Sequence, residues 1–182
     1  MTKKIGVFMG SQQSKNNHFQ LAAYETGMQI ADRKWGLVYG GSATGLMGDV
    51  AKASFDNGAE VIGVWPDVDL PEQPNTDFIT ELVKVDDMSE RKQKMFDASD
   101  AFVFLPGGLG TLEELGQVLS WSKLNIYDKP IILLNIDGFY ETLDLWIDRS
   151  EQEGFFDKAG IKNLQSFDSV SAAFAYLDEK MN

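Results

Sequence analysis

The stretch that decides the fold runs Ala101-Phe-Val-Phe-Leu-Pro-Gly-Gly-Leu-Gly-Thr-Leu-Glu-Glu114. It opens with a continuous apolar run, as in a strand buried on both faces of a sheet. A glycine-rich turn follows at once, and the apolar spacing over 111–124 then predicts a helix. This order of strand, turn and helix is typical of α/β proteins, in which ligands bind at the carboxyl ends of parallel strands.

Strands and helices alternate on both sides of this stretch. Short apolar runs predict strands at Ile5–Met9, Leu37–Tyr39, Val61–Trp65, Leu82–Val85, Ala101–Leu105, Ile131–Leu134 and Leu164–Phe167. Helical patterns predict helices near 17–34, 45–57, 88–99, 111–124, 139–152 and 169–180. We therefore expect a single nucleotide-binding domain over residues 1–182. It should be a three-layer α/β/α domain whose mostly parallel sheet of about seven strands carries helices on both faces.

Composition narrows the classes of function. The net charge of −12 argues against a nucleic-acid partner, because such proteins present basic surfaces. No apolar run approaches the roughly 20 residues of a membrane span, and the short run before Gly10 cannot serve as a signal-peptide core. We expect a cytoplasmic protein with no membrane partner. The chain has no cysteine and one histidine, His18, which is expected on the surface early in the first helix. We therefore predict no metal and no cofactor.

Glycine-rich segments follow three of the predicted strands, at Gly10-Ser11, at Gly40–Gly48 and at Pro106–Thr111. Such segments let the backbone approach a ligand closely, and a helix that follows adds roughly half a positive charge. A tight turn is the alternative for any one of them, but several in one short domain favour a nucleotide or phosphate site. Leu46 and Met47 replace the lysine and hydroxyl of a P-loop, so an ATPase is not predicted.

Charged residues accompany the third glycine segment. Thr111 and Glu114 have the spacing of a capping box, with Thr111 as the N-cap. Glu114 is equally suited to stabilise a cationic sugar centre or to activate water. A glutamate, Glu113, stands where a dinucleotide fingerprint needs glycine, which argues against NAD. Arg91 and Lys92 are either a solvated basic face or the cations that balance a bound phosphate.

The helix predicted over 111–124 has two apolar faces. Four side chains share the stripe that we expect to face the sheet, Leu112, Leu115, Val118 and Leu119. Trp121 and Leu124 fall on the opposite side, with Glu114. An outward tryptophan beside a site predicts a partner surface. Upstream, the proline-rich segment 66–77 is expected to be an ordered loop that forms a lid or rim.

Three motifs together resemble one family. Pro106–Glu114 matches the signature PGGxGTxxE, Gly40–Gly48 resembles a GGGxxGLMG stretch, and Met88–Lys92 resembles an M-H-x-R-K element. Order and spacing agree with the LONELY GUY (LOG) family from about Lys4 to Phe155. The resemblance implies a Rossmann-like homodimer. It also implies hydrolysis of cytokinin riboside 5′-monophosphates, and often of AMP, to free base and ribose 5-phosphate.

The same resemblance implies the residues of the site. The catalytic residues would be Arg91 and Glu114. Substrate would be bound by Gly10, Ser11, Gly40, Gly41, Glu72, Lys92, Gly107, Gly108, Leu109, Gly110, Thr111 and Ser120. Gln73 competes with Glu72 for its position in the motif. Ser42 and Ser89 depart from the family pattern, which has glycine and histidine there.

Three alternatives accompany this interpretation. A chain of the same fold could be a non-catalytic carrier of a nucleotide or of the molybdenum cofactor, although Arg91 and Glu114 argue for catalysis. It could also be a nucleosidase with a broad range of nucleoside 5′-monophosphates. Many relatives are labelled lysine decarboxylases, but nothing in the sequence resembles a pyridoxal-phosphate lysine site, and we reject that label.

Overall fold

The structure, a computed structural model, describes residues 2–161 and 163–181. Its strands are β1 (Lys4–Phe8), β2 (Gly36–Tyr39), β3 (Val61–Pro66), β4 (Glu81–Val85), β5 (Ala101–Phe104), β6 (Ile131–Leu134) and β7 (Leu164–Phe167). Its α-helices are α1 (Asn17–Asp32), α2 (Gly45–Asp56), α3 (Met88–Ala98), α4 (Leu109–Lys123), α5 (Glu141–Gln152) and α6 (Val170–Met181). Short 3₁₀ turns lie at Ile136–Gly138 and Lys158–Gly160. Every predicted strand and helix is present.

The strands form one sheet in the order β4-β3-β2-β1-β5-β6-β7, and every neighbouring pair is parallel. From β1 the chain moves outward to β4, then crosses to β5 on the other side of β1. The strand order therefore reverses between β1 and β5, and ligands of such sheets bind beside that reversal at the carboxyl ends of the strands. The predicted three-layer Rossmann-like fold is confirmed.

Two apolar cores hold the three layers together. One packs side chains of α1, α2 and α6 against one face of the sheet, and the other packs α3 and α4 against the opposite face. The second core is dense in aromatic rings, with Phe8 stacked on Phe104 at a centroid distance of 4.8 Å. Strands β1, β2, β5 and β6 are buried almost throughout, which explains their continuous apolar sequences.

The helices begin in two different ways. The side chains of Asn16 and Asp87 accept hydrogen bonds from the first turns of α1 and α3. By contrast, α2 and α4 begin after Thr44 and Gly108 without a side-chain cap. The first N–H groups of α2 and α4 therefore remain available to a ligand. Among the described residues, no helix combines the length and apolarity needed to cross a membrane.

The orientation of α4 corrects the predicted faces. Trp121 is not on an outward face: it is half-buried, with ring centroids 6.1 Å from Phe96 and 5.6 Å from Tyr127. Leu112, predicted to face the sheet, is 50% exposed. Glu114 is instead buried on the inner face of α4, and Leu112, two residues earlier and so about 200° away around the helix, points towards solvent. Leu115 and Val118 are buried, as predicted.

Candidate active site

A cavity of about 600 Å³ opens at the carboxyl edge of the sheet, where β1, β2 and β5 end. The structure brings eleven of the fourteen predicted site residues together around it. They are Gly10, Ser11, Gly40, Glu72, Arg91, Gly107, Gly108, Leu109, Gly110, Thr111 and Glu114. They converge because the carboxyl ends of neighbouring parallel strands meet at one edge of a sheet.

Three predicted residues lie outside the lining of the cavity. The ammonium group of Lys92 pairs with the carboxylate of Glu113. Gly41, with a φ of +82°, lies against the Trp65 ring behind the cavity wall. Ser120 is exposed on α4. Successive helical residues point about 100° apart, so the inward position of Arg91 turns its neighbour Lys92 away.

The segment Gly107–Thr111 has the geometry of an anion cradle. A side chain at Gly107 would place its Cβ 2.1 Å from the Thr111 Oγ1 and 2.8 Å from the Gly10 N atom, so only glycine fits. Helix α4 begins at Leu109, and Thr111 lies inside its first turn. The predicted capping box is therefore wrong, because Gly108 is the N-cap. The uncapped N–H groups and the positive end of the helix dipole suit a phosphate.

Arg91 is buried in the floor of the cavity, with 8% of its surface exposed. Its Nε donates to the Val64 carbonyl oxygen at 3.1 Å, and its Nη2 donates to the Gly40 carbonyl oxygen at 2.9 Å. A Cβ at Gly40 would lie 1.9 Å from that Nη2, which explains the glycine. The remaining nitrogen, Nη1, lies 3.9 Å from the Glu114 Oε1. The guanidinium is thus fixed by the backbone and faces the carboxylate.

Glu114 is as buried as Arg91, at 8% exposure. Within the described part of the chain, its carboxylate accepts no hydrogen bond. Burial raises the pKa of Glu114 to about 7, although the positive charge of Arg91 opposes this rise. A carboxyl group with such a pKa can exchange a proton near neutral pH, which is the property of a general acid or base.

The loop between β3 and β4 supplies a second carboxylate. Glu72 lines the cavity, whereas Gln73 is exposed, so the structure favours Glu72 for the predicted position. Burial lowers the pKa of Arg91, and the charges of Glu114 and Glu72 partly offset that shift. The loop acts as the predicted rim.

The lining of the cavity carries more negative than positive charge, whereas the sequence suggested that Arg91 and Lys92 together balance a bound phosphate. Among the described residues that line it, Arg91 is the one cation, against the carboxylates Glu72, Glu113 and Glu114. Since Lys92 is paired with Glu113, an anionic ligand would rely on the amide groups and dipole of α4 together with Arg91.

Sequence motifs revealed only part of the apolar walls of the cavity. Phe19 and Phe139 line it with ring centroids 5.5 Å apart, and Trp65 and Met88 contribute elsewhere. Phe19, Trp65 and Phe139 stand outside the three motifs, so no local pattern marked them, whereas Met88 is the first residue of the Met88–Lys92 motif. His18 is exposed at the start of α1, as expected, with its Nδ1 2.8 Å from an Asp137 carboxylate oxygen.

Known proteins resemble this chain over most of its length. A family model described as "Possible lysine decarboxylase" matches residues 47–177. The chain is 41% identical to cytokinin riboside 5′-monophosphate phosphoribohydrolase LOG3 of Arabidopsis thaliana, covering 97% of this chain and 82% of the relative. It is 47% identical to LOG4 of the same plant, covering 84% and 71%.

The chain belongs to the LONELY GUY (LOG) family. Identities above 40% over most of both proteins are decisive, and they agree with the motifs at Gly40–Gly48, Met88–Lys92 and Pro106–Glu114. The LOG relatives carry the name phosphoribohydrolase, which supports the rejection of a lysine decarboxylase.

Solved structures with the LOG-like fold include proteins of another kind. The molybdenum cofactor binding protein of Rippkaea orientalis superposes with a TM-score of 0.76 at 22% identity, covering 100% of this chain and 99% of the other. The molybdenum cofactor carrier protein of Chlamydomonas reinhardtii gives 0.75 at 22%, covering 98% of each. At such identity these likenesses show the fold alone.

Proposed function

We propose that this LOG protein hydrolyses the N-glycosidic bond of cytokinin riboside 5′-monophosphates or of AMP-type nucleotides. The observation that carries the proposal is the buried pair of Arg91 and Glu114, 3.9 Å apart, beside the uncapped start of α4. The relatives named as phosphoribohydrolases on cytokinin riboside 5′-monophosphates support it.

The geometry suggests how the residues divide the work. The amides of Gly107–Thr111 hold the 5′-phosphate, which places the ribose beside Glu114. When the bond from the sugar C1′ to the base nitrogen breaks, positive charge grows on the sugar, and an ionised Glu114 stabilises it or takes a proton from the attacking water. Water supplies the hydroxyl at C1′, and the base leaves with a proton. The positive charge of Arg91 offsets the negative charges of the phosphate and of the carboxylates in the cavity.

Phosphate binding leads to the first prediction. AMP should be hydrolysed with a kcat/KM at least about 10²-fold higher than that of adenosine, because binding energy at the phosphate lowers the barrier at the sugar. The measurement is chromatography of free base and ribose or ribose 5-phosphate. Equal hydrolysis of AMP and adenosine would contradict the phosphate cradle at Gly107–Thr111.

A molybdenum-cofactor or nucleotide carrier is the second candidate, since solved structures of that kind share the fold. A carrier does not need a carboxyl group with a pKa near 7 beside its ligand, whereas the carboxyl group of Glu114 has such a pKa. Tight binding of AMP without any free base would favour the carrier. Release of several bases at similar rates would instead favour the broad nucleosidase.

We also propose a homodimer, formed through the outer surface of the layer that contains α4 and α5. Exposed apolar side chains of this layer include Leu112 on α4, Leu124 directly after α4, and Leu145 and Trp146 on α5, between 50% and 67% exposed. An apolar group of this kind is typical of a protein interface. Of the two residues to which the sequence assigned the interface, Leu124 belongs to this group and Trp121 does not.

The dimer yields a prediction of its own. Light scattering should give twice the 20.3 kDa mass of one chain. Trp146→Glu should shift the protein towards the monomer, because a charge on a desolvated interface is costly. The matched control is Tyr24→Glu on α1, an exposed aromatic residue of the opposite layer. A wild-type monomer at micromolar concentration would contradict the proposal.

Three further expectations stay predictions. The single domain over residues 1–182 should carry the whole activity, without a metal or a cofactor. The cytoplasmic location is predicted from the sequence alone. We expect the apolar walls around Phe19 and Phe139 to decide between cytokinin and adenine bases.

A further inference from the structure

The loop over residues 67–80 carries Glu72 into the cavity, yet it contains no helix or regular strand. A loop holds a side chain only as well as its own anchors allow. One polar residue of this loop, Asn75, is 1% exposed. Asn75 belongs to none of the family motifs and does not line the cavity.

Asn75 uses its backbone and side-chain polar groups in hydrogen bonds. Its backbone N–H donates to the Gly41 carbonyl oxygen at 2.7 Å, and its Nδ2 donates to the Tyr39 hydroxyl at 3.0 Å. Its Oδ1 accepts from the N–H groups of Asp77 at 2.9 Å and Phe78 at 3.1 Å. The first two bonds tie the loop to the end of β2, and the other two shape the loop itself.

The end of β2 also holds the arginine of the site. Gly40 accepts the hydrogen bond from the Arg91 Nη2 at 2.9 Å, and Gly41 accepts the one from Asn75. Ser42 then pairs with Pro74 in an antiparallel bridge. Gly40, Gly41 and Ser42, which follow β2 directly, therefore hold both the Arg91 guanidinium and the loop. Buried polar groups that lose their partners are costly, which fixes this arrangement.

We infer that Asn75 is a positioning residue, which fixes the Glu72 carboxylate relative to Arg91 in the cavity. The inference rests on the proposed hydrolase function of the same site. Glu72 stands three residues before the anchor, and its charge reaches the guanidinium of Arg91. Without the anchor, Glu72 moves relative to the ribose although every group that touches substrate is still present.

The test is a double-mutant cycle of Asn75→Ala and Glu72→Gln, read as kcat/KM for AMP. Asn75→Ala should lower kcat/KM about 10-fold when Glu72 is present. It should lower it less than about 2-fold when Glu72 is already glutamine, because no carboxylate remains to be positioned. Equal losses in both backgrounds would show general loosening and overturn the inference, as would no loss in either.

Two further variants complement the double-mutant cycle, one as a second test and one as a control. Tyr39→Phe keeps the ring and removes the hydroxyl, so it should give a smaller loss with the same dependence on Glu72, and it serves if Asn75→Ala does not fold. Thr80→Val is the matched control, since the Thr80 Oγ1 accepts from the Val61 N–H at 2.8 Å at the far end of the loop. It should lower Tm and leave kcat/KM within about 2-fold.

Failure of the hydrolase proposal would be visible separately, as a wild-type protein that releases no ribose 5-phosphate from AMP or from a cytokinin riboside 5′-monophosphate. The cycle is then read on the Kd of AMP by calorimetry. If Asn75→Ala changes the Kd only when Glu72 is present, the inference is supported. If it changes the Kd equally with Glu72 and with glutamine, the inference is overturned.

Discussion

Glu114→Gln should lower the turnover of AMP by at least about 10²-fold, the scale of a positioned acid–base group, while the protein stays folded. The amide keeps the size of the side chain but cannot carry the negative charge that stabilises a cationic sugar. The measurement is kcat on AMP from pH 5 to 9. In the wild type, kcat should rise with pH as Glu114 ionises around its pKa of about 7, and this rise should be absent from the variant.

The same variant should be more stable than the wild type in alkaline solution. Burial raises the pKa of Glu114 from 4.5 to about 7, so the protonated carboxyl favours the folded state. That contribution is complete below pH 4.5 and is lost as pH rises through about 7. Above pH 7, the wild type therefore bears the cost of a buried charge that glutamine avoids. The Tm advantage of Glu114→Gln should be largest there and should shrink towards pH 5.

A matched control stands one residue earlier. Glu113→Gln changes the same functional group on α4, but Glu113 is more exposed and pairs with Lys92. It should cost less than about 10-fold in kcat, because the Glu113 side chain is 58% exposed and its carboxylate is already paired with Lys92. A stable Glu114→Gln protein with wild-type turnover would leave Glu114 without a catalytic role and would favour the carrier.

The fold could be predicted from sequence because each buried strand is a short apolar run that ends at glycine, proline or a polar residue. Boundaries moved by at most two residues, as at α4, which begins at Leu109 rather than 111. Convergence of Gly10, Gly40 and Gly107 could also be predicted, because parallel strands direct their carboxyl ends to one edge.

The details of α3 and α4 could not be predicted in the same way. Helical periodicity assigns charged residues to solvent and apolar residues to the core, and a functional site reverses this rule. Glu114 lies on the inner face of α4, and Leu112, two residues earlier, lies on its outer face. Arg91 lies on the inner face of α3, so its neighbour Lys92 points in another direction. Asn75 gave no signal at all, since its role depends on contacts with Tyr39 and Gly41 that are distant in sequence.

Arg91→Ala should have the second large effect. It should lower kcat/KM for AMP roughly 10²–10³-fold, as expected when a preorganised charge is removed from a site. It should also lower the free energy of unfolding by about 3–5 kcal/mol, the cost of breaking a buried pair. The Gly40 and Val64 carbonyl oxygens lose their donor, and Glu114 loses its cation. Chemical denaturation and steady-state kinetics measure the two losses.

The pH dependence of the residual activity separates an electrostatic role of Arg91 from a purely structural one. The positive charge of Arg91 lowers the pKa of Glu114, so in Arg91→Ala the rise of kcat with pH should move to higher pH than in the wild type. Arg91→Lys is the informative companion, because it keeps the charge but cannot reach both carbonyl oxygens. Its profile should stay close to that of the wild type while kcat falls about 10-fold. An unmoved profile in Arg91→Ala would mean that the guanidinium does not act on Glu114, and its contribution would then be limited to holding the ends of β2 and β3 together.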